Sequence, residues 1–216
     1  MKLYNSLGPN PRCVRMFMDE KDIKLCTIEI DILGAENRQG AYTEKNPGGQ
    51  MPSLELDDGS VLAETTAICE YLEDKHPSPA LIGSTPEEKA KTRMWQRRIE
   101  LQITEHMYNG FRYSEGLDMF KDRMHCLPEA ATGLKEIVQE KLAWLDGLME
   151  GKQFIVGDRF TLVDIIMYCA FDFGAGVGQT ISPDLENVTA WFQRVDGRAS
   201  ADSSIHDKAR AAGMKA

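Results

Sequence analysis

No part of the chain constrains the fold more than the stretch from Asn46 to Leu72, NPGGQMPSLELDDGSVLAETTAICEYL. Two short strands, Ser53–Leu56 and Val61–Ala63, are predicted on either side of the turn-forming residues DDGS. A helix follows directly, and Thr65 is placed to cap its start. The stretch therefore predicts a β-hairpin that leads straight into a helix.

Two features of this stretch point to a ligand that has both ends of an amino acid. Pro52 stands at the entrance to a strand, where a cis bond before it would leave the backbone of Met51 free for a peptide-like guest. At the helix N-terminus, unpaired N–H groups favour a carboxylate near Thr65, and Glu64 could meet an ammonium. A capped helix after a hairpin, with no ligand, is the simpler interpretation of the same residues.

Composition argues against several function classes. Formal net charge is −9 with no compensating basic block, which argues against a nucleic-acid or anionic-membrane partner. No apolar run is long enough to cross a membrane, and the four histidines are isolated, so we expect no metal site. The five cysteines are scattered without a CxxC pair, and Met1–Tyr4 leads directly into strand-like sequence. We therefore expect a reduced, cytoplasmic protein.

The first third of the chain alternates predicted strands and helices. Lys2–Ser6 and Lys24–Ile32 are the first two strands, and the helix between them has Asn10 as its N-cap and Pro11 at its first position. The polar stretch Gly34–Lys45 is predicted to hold an irregular helix. With the hairpin, the order is β-α-β-α-β-β-α. The side chains expected on the buried face of the second strand are Cys26, Ile28, Ile30 and Ile32.

Strand signals disappear after residue 76, where Pro77-Ser78-Pro79 is typical of a linker. Thr161 and Asp164 form a predicted capping box in the second half. Helices are predicted from Thr85–Pro86, from about Pro128 and after Thr161, with shorter ones around Ala190–Val195 and Ala201–Ala212. The expected organisation is a first domain over 1–76, a linker over 77–86 and an all-helical domain over 87–216.

The hairpin stretch resembles the glutathione-binding half of the cytosolic glutathione transferases. The match consists of Gln50-Met51-Pro52, two strands and then Glu64-Thr65, in the right order and at the expected separation. The Thr161 capping box is similar to a motif of that family's helical domain. The resemblance implies an α/β plus all-α fold: a thioredoxin-like domain with the order β-α-β-α-β-β-α, followed by an all-helical domain.

The resemblance also implies how glutathione would bind as a co-substrate. The residue before the cis-proline, here Met51, pairs through its backbone with the cysteinyl part, and the pair Glu64-Thr65 holds the γ-glutamyl end. The glycine carboxylate is expected at Asn37, Arg38 or Gln50. The expected glutathione-binding residues are Gln50, Met51, Pro52, Glu64, Thr65, Asn37 and Arg38.

Members of this family keep the glutathione sulfur as a thiolate, most often with a Tyr, Ser or Cys near the first helix. That position falls on Gly8 here, while Ser6 lies two residues early and Tyr4 is inside the strand. Cys13, within the first helix, is more often a small buried residue than a nucleophile. The expected catalytic residues are therefore Gly8 and Asn10, through the N-terminus of the first helix.

The stretch from Gly8 to Arg15, GPNPRCVR, is similar to a fungal and bacterial branch of the family with the pattern Gly-Pro-x-Pro-x-x-Val-Arg. In that branch the helix N-terminus and a water held by a Ser and a His of the helical domain stabilise the thiolate. Tyr108 and Arg112 stand at those two places here. Asn10 is a further candidate because a related bacterial group uses an Asn there; its alternative role is to cap the helix.

The activity implied by the resemblance is attack of the glutathione thiolate on an apolar electrophile, as in detoxification. The second substrate is expected between the domains, above the Gly8 loop. Arg112 could meet an anionic group, and the sequence does not identify the electrophile. The side chains expected in this pocket are Leu7, Pro9, Tyr108, Phe111, Arg112 and Tyr113.

Two alternatives stay open. Because Gly8 lacks the usual catalytic side chain, the chain could be a catalytically silent binding or regulatory module with the glutathione transferase fold. A glutathione-dependent lyase, dehalogenase or isomerase would use the same site. For an enzyme the expected partners are glutathione and a small hydrophobic electrophile. Family members are usually two-fold dimers, and on resemblance alone we expect a homodimer.

Overall fold

A computed structural model describes residues 1–211, and these residues form two compact units. The first unit comprises residues 1–84 and 198–211, and the second comprises residues 85–197. None of the helices within residues 1–211 combines the length and the apolar character that crossing a membrane requires.

A four-stranded mixed sheet lies in the first unit. Its strands are β1 (Lys2–Asn5), β2 (Cys26–Glu29), β3 (Ser53–Glu55) and β4 (Val61–Ala63), and they stand in the order β2-β1-β3-β4. Strand β2 runs parallel to β1, whereas β3 is antiparallel to both β1 and β4, with Leu54 opposite Leu3 and Leu62. This pairing confirms the predicted hairpin.

Strand β2 is shorter than the sequence predicts, Cys26–Glu29 instead of Lys24–Ile32, and Cys26, expected on the buried face, is exposed. The chain still follows β1 beyond the strand, because the N–H of Ile30 donates to the carbonyl of Asn5 at 2.9 Å and Ile30 is buried. Alternation identifies the side chains that share a face. It does not show that β2 is an edge strand, where one end of that face stays uncovered.

Three helices complete the predicted order in this unit. They are α1 (Pro9–Glu20), α2 (Gly40–Thr43) and α3 (Thr65–Lys75), and a short 3-10 turn, Glu36–Arg38, precedes α2. Helix α1 buries Val14 and Phe17 completely, as its periodicity predicts. The order β-α-β-α-β-β-α is confirmed, with the irregular helix of residues 34–45 divided into two short pieces.

The second unit is built from helices around α8. Its elements are α4 (Pro86–Ile99), a π-helical turn (Glu100–Thr104), α5 (Glu105–Arg112), α6 (Leu117–Phe120), a 3-10 turn (Pro128–Ala130), α7 (Ala131–Leu148), α8 (Leu162–Gly176) and α9 (Glu186–Asp196). The predicted capping box of α8 is present. Its fully buried Asp164 accepts the N–H groups of Thr161, Ile155 and Trp191 at 2.8, 3.0 and 2.9 Å. Burial raises the pKa of this carboxyl.

Two short helices, α10 (Ala199–Ser203) and α11 (Asp207–Ala211), follow the second unit and pack within the first. The sequence places this part of the chain in the helical domain, as one helix over Ala201–Ala212. Helical periodicity predicts that a segment is helical but does not identify the surface on which it packs. Residues 212–216, and with them the end of that predicted helix, lie outside the described residues.

Candidate functional site

Met51 has the open backbone that the expected ligand contact requires. The Met51–Pro52 peptide bond is cis. The Met51 side chain is buried in a cluster with Tyr4, Ile30 and Tyr42. Its backbone N–H and C=O, in contrast, make no hydrogen bond to any other residue in the range 1–211. The side chain therefore anchors the residue, and the backbone stays available to a guest with a peptide's donor and acceptor.

Three buried side chains hold the loop before the cis-proline. Tyr42 Oη and Asn46 Nδ2 both donate to the carbonyl of Gln50, each at 2.8 Å. Asn37 Nδ2 donates to the carbonyl of Gly49 at 2.7 Å. Sequence reasoning missed Tyr42 and Asn46. The available signals were an aromatic residue in a polar stretch and an Asn directly before the turn formers Pro-Gly-Gly.

The three residues expected at the glycine carboxylate differ in what they can reach. Asn37 is only 2% exposed, its amide N–H is committed to the loop, and its Oδ1 accepts no hydrogen bond from residues 1–211. Arg38 is half-buried, with Nη1 3.4 Å from the carbonyl of Gly48. Gln50 is exposed. Arg38 and Gln50 are therefore accessible to a ligand's carboxylate, whereas Asn37 supports the loop.

Helix α3 begins at the predicted place with a different cap. Glu64, not Thr65, occupies the N-cap position, and no side chain caps the first N–H groups. Glu64 has φ 70° and ψ 120°, a conformation that costs a non-glycine residue about 1–3 kcal/mol. Its exposed carboxylate makes no hydrogen bond or ion pair within residues 1–211. Because strain of this kind concentrates at ligand sites, the conformation itself favours a binding role.

Helix α1 also starts differently from the prediction. Gly8 is at the N-cap with φ 116° and ψ 163°, and Pro9, not Pro11, is the first helical residue. Asn10 lies in the first turn, where its side chain makes no hydrogen bond to residues 1–211, so its interpretation as the cap is wrong. The N–H of Arg12 donates to the carbonyl of Gly8 at 3.2 Å. Since proline has no N–H, Asn10 alone among the first three helical residues offers an unpaired backbone donor.

Other polar side chains near this helix start are committed to the fold. Ser6 Oγ donates to a backbone carbonyl at 2.6 Å, and Tyr4 Oη donates to Glu55 at 2.7 Å. Burial and the Glu55 carboxylate raise the pKa of the Tyr4 phenol. Cys13 is buried, as expected. The start of α1 therefore offers a ligand its backbone, its dipole and the Asn10 amide.

Helix α5 of the second unit carries three of the residues expected to contact a second substrate: Tyr108, Phe111 and Arg112. Phe111 packs edge-on against Phe173 and Phe120, with ring centroids 5.0 and 6.0 Å apart. The guanidinium of Arg112 lies 5.8 Å from the centroids of Tyr108 and Phe120. Phe111 is thus part of the unit's packing, and Arg112 is a cation beside two rings. The other expected residues, each half-buried in its own unit, are Leu7, Pro9 and Tyr113.

Two family models match the chain. The N-terminal domain of glutathione S-transferases matches residues 8–75, which include the starts of α1 and α3 and the cis-proline. The C-terminal domain of glutathione S-transferases matches residues 126–199. Together the two matches span more than half of the chain.

Individual proteins are similar over most of their length. Glutathione S-transferase 2 of Saccharomyces cerevisiae is 27% identical over 218 residues, covering 97% of this chain and 91% of that protein. Maleylacetoacetate isomerase of Pseudomonas aeruginosa is 28% identical over 184 residues, covering 82% and 84%. The crystal structure of a glutathione S-transferase domain-containing protein from Marinobacter aquaeolei is 33% identical, with a TM-score of 0.87 over 93% of this chain and 99% of that one.

Proposed function

Because the chain belongs to the glutathione S-transferase family, we propose that it binds glutathione and directs the thiolate at an apolar electrophile. The observation that carries this proposal is the start of helix α3. There, the carboxylate of Glu64 has no partner within residues 1–211, and the N–H groups that follow it are uncapped. An ammonium and a carboxylate on one carbon, as in a γ-glutamyl group, match this pair of charges.

In the proposed complex the rest of the tripeptide extends along the loop before β3. The backbone N–H and C=O of Met51 pair with the cysteinyl residue, as in an added strand. Arg38 or Gln50 receives the glycine carboxylate, and Asn37 acts through the loop that it holds. The supporting observation is that the carbonyls of Gly49 and Gln50 are already paired, while the N–H and C=O of Met51 are open.

The thiolate is proposed to lie at the start of α1. A helix N-terminus carries the equivalent of roughly half a positive charge and lowers the pKa of a nearby thiol from about 8.5. Because Pro9 and Pro11 have no N–H, the backbone donor there is Asn10, and its side-chain amide is uncommitted within residues 1–211. Gly8 contributes a conformation that other residues rarely adopt.

The electrophile is proposed to be largely apolar and aromatic, and Arg112 is proposed to meet an anionic group if the molecule carries one. Leu7 and Pro9 flank Gly8 and are half-buried, so they offer apolar surface beside the thiolate. In the second unit, Tyr108 is buried, and Arg112, whose Nη1 donates to Asn109 Oδ1 at 2.9 Å and lies 3.8 Å from Glu105 Oε1, is followed by Tyr113. A guanidinium beside two rings is a favourable environment for an aromatic anion.

Titration of bound glutathione and a turnover assay test the proposal. With saturating glutathione, the ultraviolet absorbance of the thiolate should rise with a midpoint below pH 8, under the free thiol's pKa of about 8.5. Chlorodinitrobenzene should be consumed together with glutathione. No bound thiolate below pH 8, combined with no turnover of any electrophile in a panel, would contradict the enzyme and leave a binding module.

A matched pair of variants locates the donor. Asn10→Ala removes the side-chain amide, and if that amide acts on the sulfur, kcat should fall about tenfold, or roughly 1.4 kcal/mol. Asn10→Asp keeps the shape but adds a negative charge, so it should raise the pKa of the bound thiol as well. If both variants keep the wild-type thiol titration, the side chain has no role and the helix backbone acts alone.

Isomerisation with glutathione is the second candidate, because the isomerase named above has about the same sequence identity to this chain as the transferase has, over a shorter stretch. It would use the same thiolate but return glutathione unchanged. Following the free thiol concentration during turnover separates the two: a transferase consumes one thiol per turnover, and an isomerase consumes none.

We also propose that the chain forms a two-fold homodimer, on the strength of the family alone. The chain has a mass of 24.2 kDa, so light scattering at micromolar concentration should report about twice that value. A mass near that of one chain would refute the dimer.

A further inference from the structure

The C-terminal segment, defined here as residues 198–211, is fastened to helix α1 near both ends of the helix. At the C-terminal end, Arg198 Nε and Nη2 donate to the two carboxylate oxygens of Glu20 at 2.8 and 2.6 Å. Nearer the N-terminus, the fully buried Arg12 donates through Nη2 to the carbonyl of Ala201 at 2.8 Å. Such charge-assisted hydrogen bonds are the stronger class, so the segment is an integral part of the first unit.

Arg15 does more than hold this segment. Its Nε donates to the carbonyl of Ser204 at 2.8 Å, and its Nη1 donates both to Asn5 Oδ1 at 2.7 Å and to the carbonyl of Ser6 at 2.9 Å. One guanidinium thus joins α1, the end of β1 and the C-terminal segment. The planar fork of arginine, with five N–H donors pointing in fixed directions, suits three acceptors on three different segments.

The same side chain belongs to a series of hydrogen bonds that the backbone from Ser204 to His206 closes into a ring. Asn5 Nδ2 donates to Glu29 Oε1 at 2.5 Å, and His206 Nε2 lies 2.7 Å from Glu29 Oε2. Because His206 Nδ1 accepts the N–H of Lys208 at 3.1 Å, the imidazole proton is on Nε2, which donates it to Glu29. Burial opposes the ionisation of Glu29, but the bonds from His206 and Asn5 outweigh it and hold the pKa of this carboxyl below its ordinary value. The backbone from His206 back to Ser204, whose carbonyl accepts from Arg15 Nε, completes the ring.

Asn5 and Ser6, which both accept a hydrogen bond from Arg15, lie directly before the turn at which we place the thiolate. On the side of α1, the turn formed by Leu7 and Gly8 is fixed by the hydrogen bond from the Arg12 N–H to the Gly8 carbonyl. Leu7 itself makes no hydrogen bond within residues 1–211. On the side of β1, the Ser6 carbonyl and the Leu7 N–H belong to the same planar peptide unit, so a hydrogen bond that fixes the carbonyl also orients the N–H. Arg15 makes that bond.

We propose that Arg15 is a positioning residue for the thiolate site: held by the C-terminal segment, it fixes the Ser6–Leu7 peptide and through it the backbone from Gly8 to Asn10. The catalytic consequence rests on the proposed function, whereas the ordering of the turn is a property of this chain alone. A misplacement of about 1 Å can cost on the order of 100-fold in rate. Loss of the guanidinium should therefore lower kcat at least about tenfold, and the KM for glutathione should change less than about twofold, because the tripeptide contacts lie elsewhere.

Arg15→Met and Arg198→Met form the matched test. Both remove a guanidinium that ties the C-terminal segment to helix α1, but only Arg15 contacts Ser6. Both variants should therefore lower Tm, and only Arg15→Met should lower kcat and raise the pH at which bound glutathione ionises. Backbone order parameters of Leu7, Gly8 and Asn10, measured by NMR without ligand, should fall from about 0.85 to below about 0.6 in Arg15→Met alone.

Rescue separates positioning from a general loss of stability. Arg15→Lys keeps one donor that can reach the Ser6 carbonyl, so it should recover part of kcat and of the order parameters. If Arg15→Met does not fold, His206→Gln replaces the imidazole that contacts Glu29 and so disrupts the ring without touching Arg15. The changes in kcat, in thiol ionisation and in the order parameters should then have the same direction and a smaller size. The inference would be overturned if Arg15→Met and Arg198→Met lost kcat equally, in proportion to their losses of Tm. Unchanged order parameters in Arg15→Met would overturn it as well. If the wild type ionises no glutathione and turns over nothing, the proposed function fails, and the order parameters still decide the role of Arg15.

Discussion

The two stretches that face glutathione in the proposed function are built in opposite ways. In residues 46–65, side chains prepare the site: Tyr42 and Asn46 both hold the carbonyl of Gln50, and the carboxylate of Glu64 has no partner within residues 1–211. In residues 7–11, the backbone is prepared by glycine and two prolines, and the side chains near it, apart from that of Asn10, are committed elsewhere. One region recognises by charge and the other by conformation.

This difference implies different sensitivities to substitution. Where a hydrogen-bonding side chain prepares the site, its removal should weaken binding of glutathione and leave the bound complex competent. Where backbone conformation prepares the site, any added side chain should disturb the chemical step. Substitutions can therefore be sorted by whether they change Kd or kcat.

The largest effect is expected at the start of α3. The double variant Glu64→Ala with Thr65→Ala removes the proposed partners of the ammonium and the carboxylate, at about 1.5–3 kcal/mol for each charged hydrogen bond. Glutathione affinity measured by calorimetry should fall by at least about 100-fold. Thr66→Ala, one residue further along the same turn, is the matched control and should bind normally. Unchanged affinity of the double variant would sink the glutathione assignment.

A smaller loss, confined to catalysis, is expected at Gly8. A Cβ there would have room, since the nearest atom is Pro11 Cδ at 3.8 Å, but φ of 116° strains any other residue by about 1–3 kcal/mol. Gly8→Ser should therefore lose activity although it restores a hydroxyl, and β-branched Gly8→Val should lose more. Gly40→Ser, at a glycine without positive φ or close neighbours, controls for the substitution itself. A rise in kcat for Gly8→Ser would show that a side chain, rather than the backbone, limits the thiolate.

The smallest effect is expected at Tyr42, which holds the loop before the cis-proline. Tyr42→Phe removes one of the two donors to the Gln50 carbonyl and the 3.0 Å contact with Ser53 Oγ. At about 0.5–1.5 kcal/mol per hydrogen bond, glutathione Kd should rise by up to about tenfold while kcat at saturation holds. Tyr4→Phe, which removes a neighbouring hydroxyl bound to Glu55, is the control. A fall in kcat without a change in Kd would erase the distinction between the two regions.

The order of elements could be predicted because local chemistry specifies it. The hairpin follows from its turn residues, and the α8 cap follows from Thr161 and Asp164, whose contacts are local. Both errors at helix starts have a common cause. Propensity assigns the cap to the best capping side chain, Asn10 or Thr65, whereas the observed caps are Gly8 and Glu64, at positive φ. At Gly8, glycine adopts a positive φ that other residues rarely reach, and at Glu64 a strained conformation overrides propensity.

Long-range partners were beyond local reasoning. Arg15 and Ser204 are separated by 189 positions, and no periodicity or motif relates them. The Val-Arg at the end of the GPNPRCVR pattern was visible in the sequence, yet its role as a connector appears only in three dimensions. The same limit applies to the clamp by Tyr42, since an aromatic residue in a polar stretch predicts burial but not a hydrogen-bond acceptor.

The return of residues 198–211 to the first unit also bears on how the chain is made. A ribosome adds about 5–20 residues per second, and the whole second unit must be synthesised before Arg198 appears. Residues 85–197 can therefore complete their own contacts during translation, while the first unit, whose four strands are already made, still lacks Ser204 and His206. Until they arrive, Arg12 and Arg15 lack their acceptors in the C-terminal segment, so the side of α1 that binds this segment is completed last.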